Sequence, residues 1–346
     1  MKVMVWCMAV RILILAIVCT MFSFSTAGML HAEEPAEGFG PFPTRNFSPV
    51  KNLFLGMPAE RATTLRKGTT QVRVESAQSN SVFDEHTVDS SSVVKMEQNR
   101  TALDLRYGMT DTLEAGFEIP LLSRTEGFLE PFIEAIEAVT IDGGERNRLE
   151  DVPFAYQIER KGQTLFSGSD GQVGLGDISL YAKREVAEEG DWLPKTSLRV
   201  ALKIPTGSER RSFGSGTFDI GVGIAGEKRP FPWWIMYVNV NGVFPTARIS
   251  GLKTLPSLSA VFSNEFLLLD RFSIGAQFNS YTSHVTGAGL SSVDKGANEV
   301  AGGFTYAFKN NMRAQLYGIE GIDSPRGGEA DFTLSLVLTY LFGSDS

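Results

Sequence analysis

The sequence predicts an all-β fold: a twelve-stranded antiparallel transmembrane β-barrel with one amphipathic helix in its second surface loop. Three observations predict it. Apolar and polar residues alternate with period two in twelve short segments. The connections between these segments are alternately short and long. Aromatic residues gather at strand ends beside the short connections. A strand sends successive side chains to opposite faces, so such alternation marks a sheet with hydrocarbon on one side and water on the other.

The chain opens with an address. Lys2 and Arg11 are the only charges before Glu33, and an apolar run, Ile12 to Val18, is followed by small residues. At roughly 13 residues the apolar stretch is shorter than the ~20 a spanning helix needs, which predicts a secretory signal peptide over 1–32. Two small-x-small cleavage sites fit, after Ala27 and after Ala32, and the acidic Glu33-Glu34 favours the second. Cleavage there removes both cysteines, Cys7 and Cys19, and leaves 30 bases against 40 acids, a net charge of −10. Disulfide and thiol chemistry are then excluded from the mature chain, and the acidic balance argues against a nucleic-acid partner.

Residues 33–66 are rich in Pro and Gly and have no period, yet carry Phe39, Phe42, Phe47, Leu53, Phe54 and Leu55. They form either a periplasmic tail or a plug threaded into the barrel. Six large apolar residues are more than a solvated tail needs, which favours packing.

The barrel is expected over 67–346. Alternation is clearest in the last strand, where Phe332, Leu334, Leu336, Leu338, Tyr340 and Phe342 share one face and Asp331, Thr333, Ser335 and Thr339 the other. Upstream, the apolar faces begin at Val72, Leu103, Leu113, Ile178, Leu198, Phe218, Trp234, Leu258, Phe272, Val300 and Met312. Short connections fall at 108–111, 187–194, 227–232, 269–270 and 309–311; the longer ones span 79–92, 122–173, 205–215, 245–255, 281–298 and 320–328. Short turns on one rim and long loops on the other describe an outer-membrane barrel. Tyr107, Trp234, Phe272, Tyr306, Phe308, Tyr340 and Phe342 have apolar-face parity beside short turns, where an aromatic girdle meets the membrane interface.

In the 122–173 loop, Phe128, Phe132, Ile133 and Ile136 fall at helical spacing, with Glu130, Glu134 and Glu137 opposite. Such an apolar stripe must be buried against something. A lid over the barrel mouth is the first reading; a helix on the outer rim or the membrane surface is the alternative.

The polar faces predict a lumen lined by Arg73, Glu75, Asp104, Arg106, Glu114, Glu118, Lys183, Arg199, Lys203, Asp219 and Arg313. A selective pore often carries one sign of charge; here the signs are mixed. The plainer reading is an interior of salt bridges between neighbouring strands, and the functional one is a narrow polar channel that orients a solute. Strand number does not decide, since about eight strands are filled by side chains and about sixteen leave a channel.

No catalytic, cofactor or metal site is expected. No Gly-x-Ser-x-Gly elbow or His-Glu-x-x-His motif is present, and a hydrolase needs a nucleophile with a positioned base. His86 and His284 both fall in expected surface loops. Acidic pairs such as Asp84/Glu85 and Asp142/Glu145 read as solvated loop residues rather than as a calcium site.

Several segments resemble a family of uncharacterised Gram-negative outer-membrane proteins, known as a domain of unknown function. They are Pro43-Thr44-Arg45-Asn46-Phe47-Ser48-Pro49, Tyr107-Gly108-Met109-Thr110-Asp111, Gly127-Phe128-Leu129, Gly174-Leu175-Gly176-Asp177-Ile178 and Lys203-Ile204-Pro205-Thr206-Gly207. The last two are also similar to motifs of the meta-pathway phenol-degradation channel-like barrels, and Tyr340-x-Phe342 resembles the signal read by barrel-assembly machinery. The resemblance implies an outer-membrane barrel and brings no catalytic residue.

The expected function is passive or gated passage of a small solute. The alternative is a closed structural or binding barrel, with a surface hydrolase behind it. Expected partners are outer-membrane lipids and lipopolysaccharide, the barrel-assembly machinery during biogenesis and an unknown small solute. The cell outer membrane is the expected location and a monomer the expected state.

Overall fold

Alternation becomes a closed wall. The computed structural model describes residues 38–127, 149, 151–323 and 328–343; the signal segment and the loop stripe of Phe128, Phe132, Ile133 and Ile136 lie outside them. Twelve antiparallel strands form the barrel: β1 Thr70–His86, β2 Ser90–Thr110, β3 Leu113–Thr125, β4 Ile178–Ala187, β5 Lys195–Ile204, β6 Asp219–Phe231, β7 Trp234–Pro245, β8 Ser257–Leu269, β9 Phe272–Tyr281, β10 Ala297–Ala307, β11 Met312–Gly321 and β12 Phe332–Phe342. Each pairs with its sequence neighbours, and β1 closes against β12 from Thr70↔Phe342 to Asn80↔Phe332. Closure leaves no unpaired edge, as a sheet in lipid requires.

The parity holds around the ring. Val200, Ile220, Val222, Ile224, Val238 and Leu336 are exposed on the outer face, while Arg199, Asp219, Asn239, Asn241 and Ser335 are buried inside. The girdle forms at the short-turn rim. Phe231 stacks on Trp233 at 5.5 Å, Tyr306 meets Phe308 edge-on at 4.9 Å, and Tyr340 meets Phe342 at 4.5 Å. Trp234 donates its indole N–H to Asn264 Oδ1 at 3.0 Å.

The structure corrects the expected loop at 79–92. β1 and β2 continue as one ladder to His86↔Ser91, with a tight turn between them. β2 has 21 residues, about twice the ~9–11 that cross a bilayer. Beyond the membrane neither face is forced to be apolar, so the alternation lapses although the pairing continues. Two further strands, Ala155–Arg160 and Gln163–Ser167, extend this ladder within the expected 122–173 loop.

Above the outer mouth the loops build a core of their own. Phe83, Met96, Tyr156, Ile158, Phe166, Leu252 and Leu290 bury one another there together with Val50, Leu53 and Phe54. Arg124 is buried beneath, its guanidinium 4.8 Å from the Tyr156 ring and 4.4 Å from the Phe213 ring, and it donates to Gln98 Oε1 and the carbonyl of Arg211. Glu85 accepts from the backbone N–H groups of Ser291 and Ser292, which ties the β1–β2 hairpin to the loop before β10.

Candidate functional site

The interior is occupied by the chain's own N-terminal segment. Residues 38–66 run through the lumen, and Phe42, Phe47, Val50, Leu53, Phe54, Leu55, Met57 and Ala59 are all buried. The only regular element described in the segment is a single 3-10 turn, Lys51–Leu53. An irregular chain has few internal partners for its peptide groups, and buried peptide groups require partners. The wall supplies them.

Beginning at Gly38, the N–H groups of Phe39 and Gly40 donate to the Glu265 carboxylate at 3.1 Å, which also accepts from Tyr237 and Ser273. Arg313 donates to the Phe39 carbonyl at 2.7 Å. Phe42 stacks on Tyr317 at 4.7 Å, in a space that exists because Gly275 stands behind it: a Cβ there would lie 2.9 Å from the Phe42 ring. Arg45 pairs with Glu118 at 2.7 Å, and Glu118 also holds Arg100. Lys203 bridges Asp219 at 2.8 Å and Asp177 at 3.1 Å while donating to the Leu53 carbonyl. Asp219 accepts from the Leu55 N–H at 2.8 Å. A Cβ on Gly221 would lie 2.6 Å from Met57 Sδ, so this position is a second socket.

Glu60 is the electrostatic centre of the segment. Its carboxylate meets Arg106, Arg199 and Lys183, which come from β2, β5 and β4. Arg61 grips Glu227 with two nitrogens, at 2.8 and 3.2 Å, and Leu65 N–H donates to Glu114 at 2.7 Å.

Every predicted lumen residue therefore lies on the inner side, where the segment and the wall meet. Arg73 pairs with Asp104 at 3.0 Å, and Glu75 with Arg100 at 3.4 Å. Pairing between strands is real but incomplete as an account, because Arg106, Glu114, Glu118, Lys183, Arg199, Lys203, Asp219 and Arg313 each also hold the segment. Sequence reasoning missed Arg45, Glu60 and Arg61 as their partners, although the charges stood in plain view within 33–66. It also placed Glu227 in a turn, whereas β6 runs on to Phe231; Gly223 and Glu227 share an inward parity that would have revealed it.

At the outer end Lys51 is buried and donates to Ser283 Oγ at 2.6 Å and the Val293 carbonyl at 2.5 Å. Burial pushes its ammonium down to about 7, against the weaker pull of Asp294 and Glu329. His284 stacks on Phe54 at 4.6 Å. Burial and the neighbouring Lys51 and Lys203 hold its imidazole down to about 3. Burial beside Asp323 and Asp331 pushes Glu329 up to about 7.

At the short-turn end a polar cavity of about 340 Å³ opens between the segment and the wall, lined by charges of both signs, Arg61, Arg73, Lys183 and Arg313 with Glu60 and Glu114 among them. The two histidines do not come together as a catalytic pair. His86 is exposed against Asp84 at 3.0 Å, and among the described residues no group of three His, Cys, Asp or Glu side chains is placed to hold a metal.

A closed twelve-stranded barrel with an apolar outer belt, an aromatic girdle and a charged, chain-filled lumen defines the class: an outer-membrane-type β-barrel. The chain belongs to the family described as "protein of unknown function (DUF3187)", which matches residues 11–342. Among solved structures it is similar to the COG4313 outer membrane channel from Pseudomonas putida F1, at 15% identity and a TM-score of 0.56, over 81% of this chain and 98% of that one. The NanC porin matches at 7% identity and a TM-score of 0.45, over 78% of this chain and 98% of that one. The Pseudomonas putida toluene transporter TodX matches at 10% identity and a TM-score of 0.39, over 87% and 98%. No curated protein matches.

Proposed function

We propose that this protein is an outer-membrane channel of a Gram-negative bacterium that gives gated passage to a small polar solute, with residues 38–66 as its plug. The observation that carries this reading is the seat of the segment. Charged and polar side chains hold it at Glu118, Glu265, Glu227, Lys203 and the Arg106–Lys183–Arg199 cluster, and its apolar residues are divided among three separate clusters rather than one continuous core. Water can replace such contacts one by one, so a vacated lumen is a hydrated polar path, not a collapsed one. The similar fold of a protein described as an outer membrane channel supports the reading. In this setting the outer belt faces lipid and lipopolysaccharide, the chain enters the membrane through the barrel-assembly machinery, and the barrel acts as a monomer without an enzymatic site.

The second reading, a closed structural barrel, is favoured by the apolar cluster that the loops and the segment's tip build over the outer mouth. Single-channel recording in planar bilayers separates the two. The mature protein is expected to be closed with brief openings, and the protein lacking residues 33–66 to conduct in stable steps. A shortened protein that folds and stays silent overturns the channel reading.

A further inference from the structure

A small, partly enclosed space separates the outer half of the plug from the ends of β7, β8 and β9. Its volume is about 40 Å³, against the ~10–15 Å³ that one water needs. It therefore has room for an occupant of about three or four heavy atoms. Its lining includes two cations, Arg45 and Lys51, together with Asn52, His284 and Ser259, and contains no carboxylate.

The polar atoms here are unevenly satisfied. Arg45 is buried, and its Nη2 is committed to Glu118, yet its Nε has no protein partner. Asn52 Nδ2 and His284 Nδ1 are likewise buried without one. Arg45 Nε and Asn52 Nδ2 are donors only. Lys51 donates to two neutral oxygens and has no ion-pair partner among the described residues. A buried donor left unsatisfied costs about 1–3 kcal/mol, and more when charged. The space thus gathers positive charge and unused donors, and its complement is a compact anion with several acceptor lone pairs.

We propose that this cavity is a binding site for a small carboxylate, either free or as the end group of a larger solute. Arg45 Nε and Asn52 Nδ2 donate to the carboxylate oxygens, Lys51 supplies the balancing charge, and His284 donates from Nδ1 as a neutral imidazole. Because Arg45, Lys51 and Asn52 belong to the plug and His284 and Ser259 to the barrel, an occupant fastens one to the other. The site rests on the cavity and its donors; only that fastening role rests on the gated-channel reading.

The test uses bromide as an anion visible by anomalous diffraction, with formate as the competing carboxylate. Crystals of the mature protein are soaked in sodium bromide, with and without sodium formate at constant ionic strength. The expected result is an anomalous peak within hydrogen-bond reach of Arg45 Nε and Asn52 Nδ2. Formate should extinguish it, and Lys51→Met or Asn52→Leu should require at least tenfold more bromide for the same occupancy. No peak in the cavity, a peak that formate does not displace, or a peak that the variants keep at full strength overturns the proposal. Asn52→Leu stands in if Lys51→Met fails to fold. Channel recordings do not enter this test, so failure of the site and failure of the gated-channel reading are told apart.

Discussion

Glu60→Gln removes one negative charge from the point where the plug is held hardest. Glu60 meets Arg106, Arg199 and Lys183, and its side chain is 10% exposed, so solvent screens the cluster little. Removing one partner of a buried ion pair costs about 3–5 kcal/mol. The low end applies here, because two of the cations keep other carboxylates. Arg106 retains Asp104 at 3.1 Å and Glu114 at 3.4 Å, and Lys183 retains Glu114 at 3.1 Å. Arg199 alone is stranded, with only the Asn239 and Asn241 side-chain oxygens and the Pro58 carbonyl. A loss of about 3 kcal/mol, at 1.4 kcal/mol per factor of ten, shifts the balance between seated and released plug roughly a hundredfold. Single-channel open probability reads this directly, and Glu126→Gln at the exposed rim serves as the control. An open probability within about twofold of the unaltered protein, with the barrel intact by heat-modifiable electrophoresis, would refute the assignment of Glu60 as the plug's main anchor.

Further outcomes follow from the same contacts. Gly221→Val and Gly275→Val place atoms where Met57 and Phe42 now lie; overpacking of this kind costs about 1–3 kcal/mol, so openings should become more frequent while the wall's thermal stability stays unchanged. His284 holds no proton until about pH 3 when seated against Phe54, whereas a histidine released to water binds one near pH 6.5. The seat is therefore unaffected above that value and weakens as pH falls towards 3, by at most about 1.4 kcal/mol per pH unit. Proteolytic susceptibility of the plug should rise through that window, and His284→Gln should remove this component of the pH dependence. In the protein lacking residues 33–66, Arg106→Glu should shift reversal potentials towards cation selectivity; unchanged selectivity would mean that ions do not pass this part of the wall.

The wall was legible because lipid and water impose a strict two-residue rhythm on any strand between them. Val72 to Phe342 obey it, and the rhythm alone gives the strand number and parity. It faded where the membrane ends, which is why the ladder from Ser79 to Ser92 read as a loop. The plug obeys no rhythm. Its chain has no repeating face, each residue answers a different wall residue, and contacts such as Arg45 with Glu118 or Leu55 with Asp219 join positions far apart in sequence. The mixed signs inside the lumen were visible, but their meaning was not: a charge read against its neighbours on the sheet gives no hint that a third partner stands between them. The glycine sockets were equally silent, since Gly221 and Gly275 read as ordinary small residues in a strand.

The plug passes through Lys67, Gly68 and Thr69 directly into β1, and Gly68 N–H is itself bonded to the Gly108 carbonyl at 2.9 Å. The lumen-filling segment and the first stave of the wall are thus one continuous piece of chain, leashed at the short-turn rim. A plug freed from its seat has nowhere to diffuse. It competes for the lumen at the effective concentration of a short tether, in the millimolar range, and needs no second protein to return. On the gated-channel reading proposed above, closing is then the spontaneous stroke and opening the driven one, and a passing solute has to hold the leash aside only for the duration of its own transit.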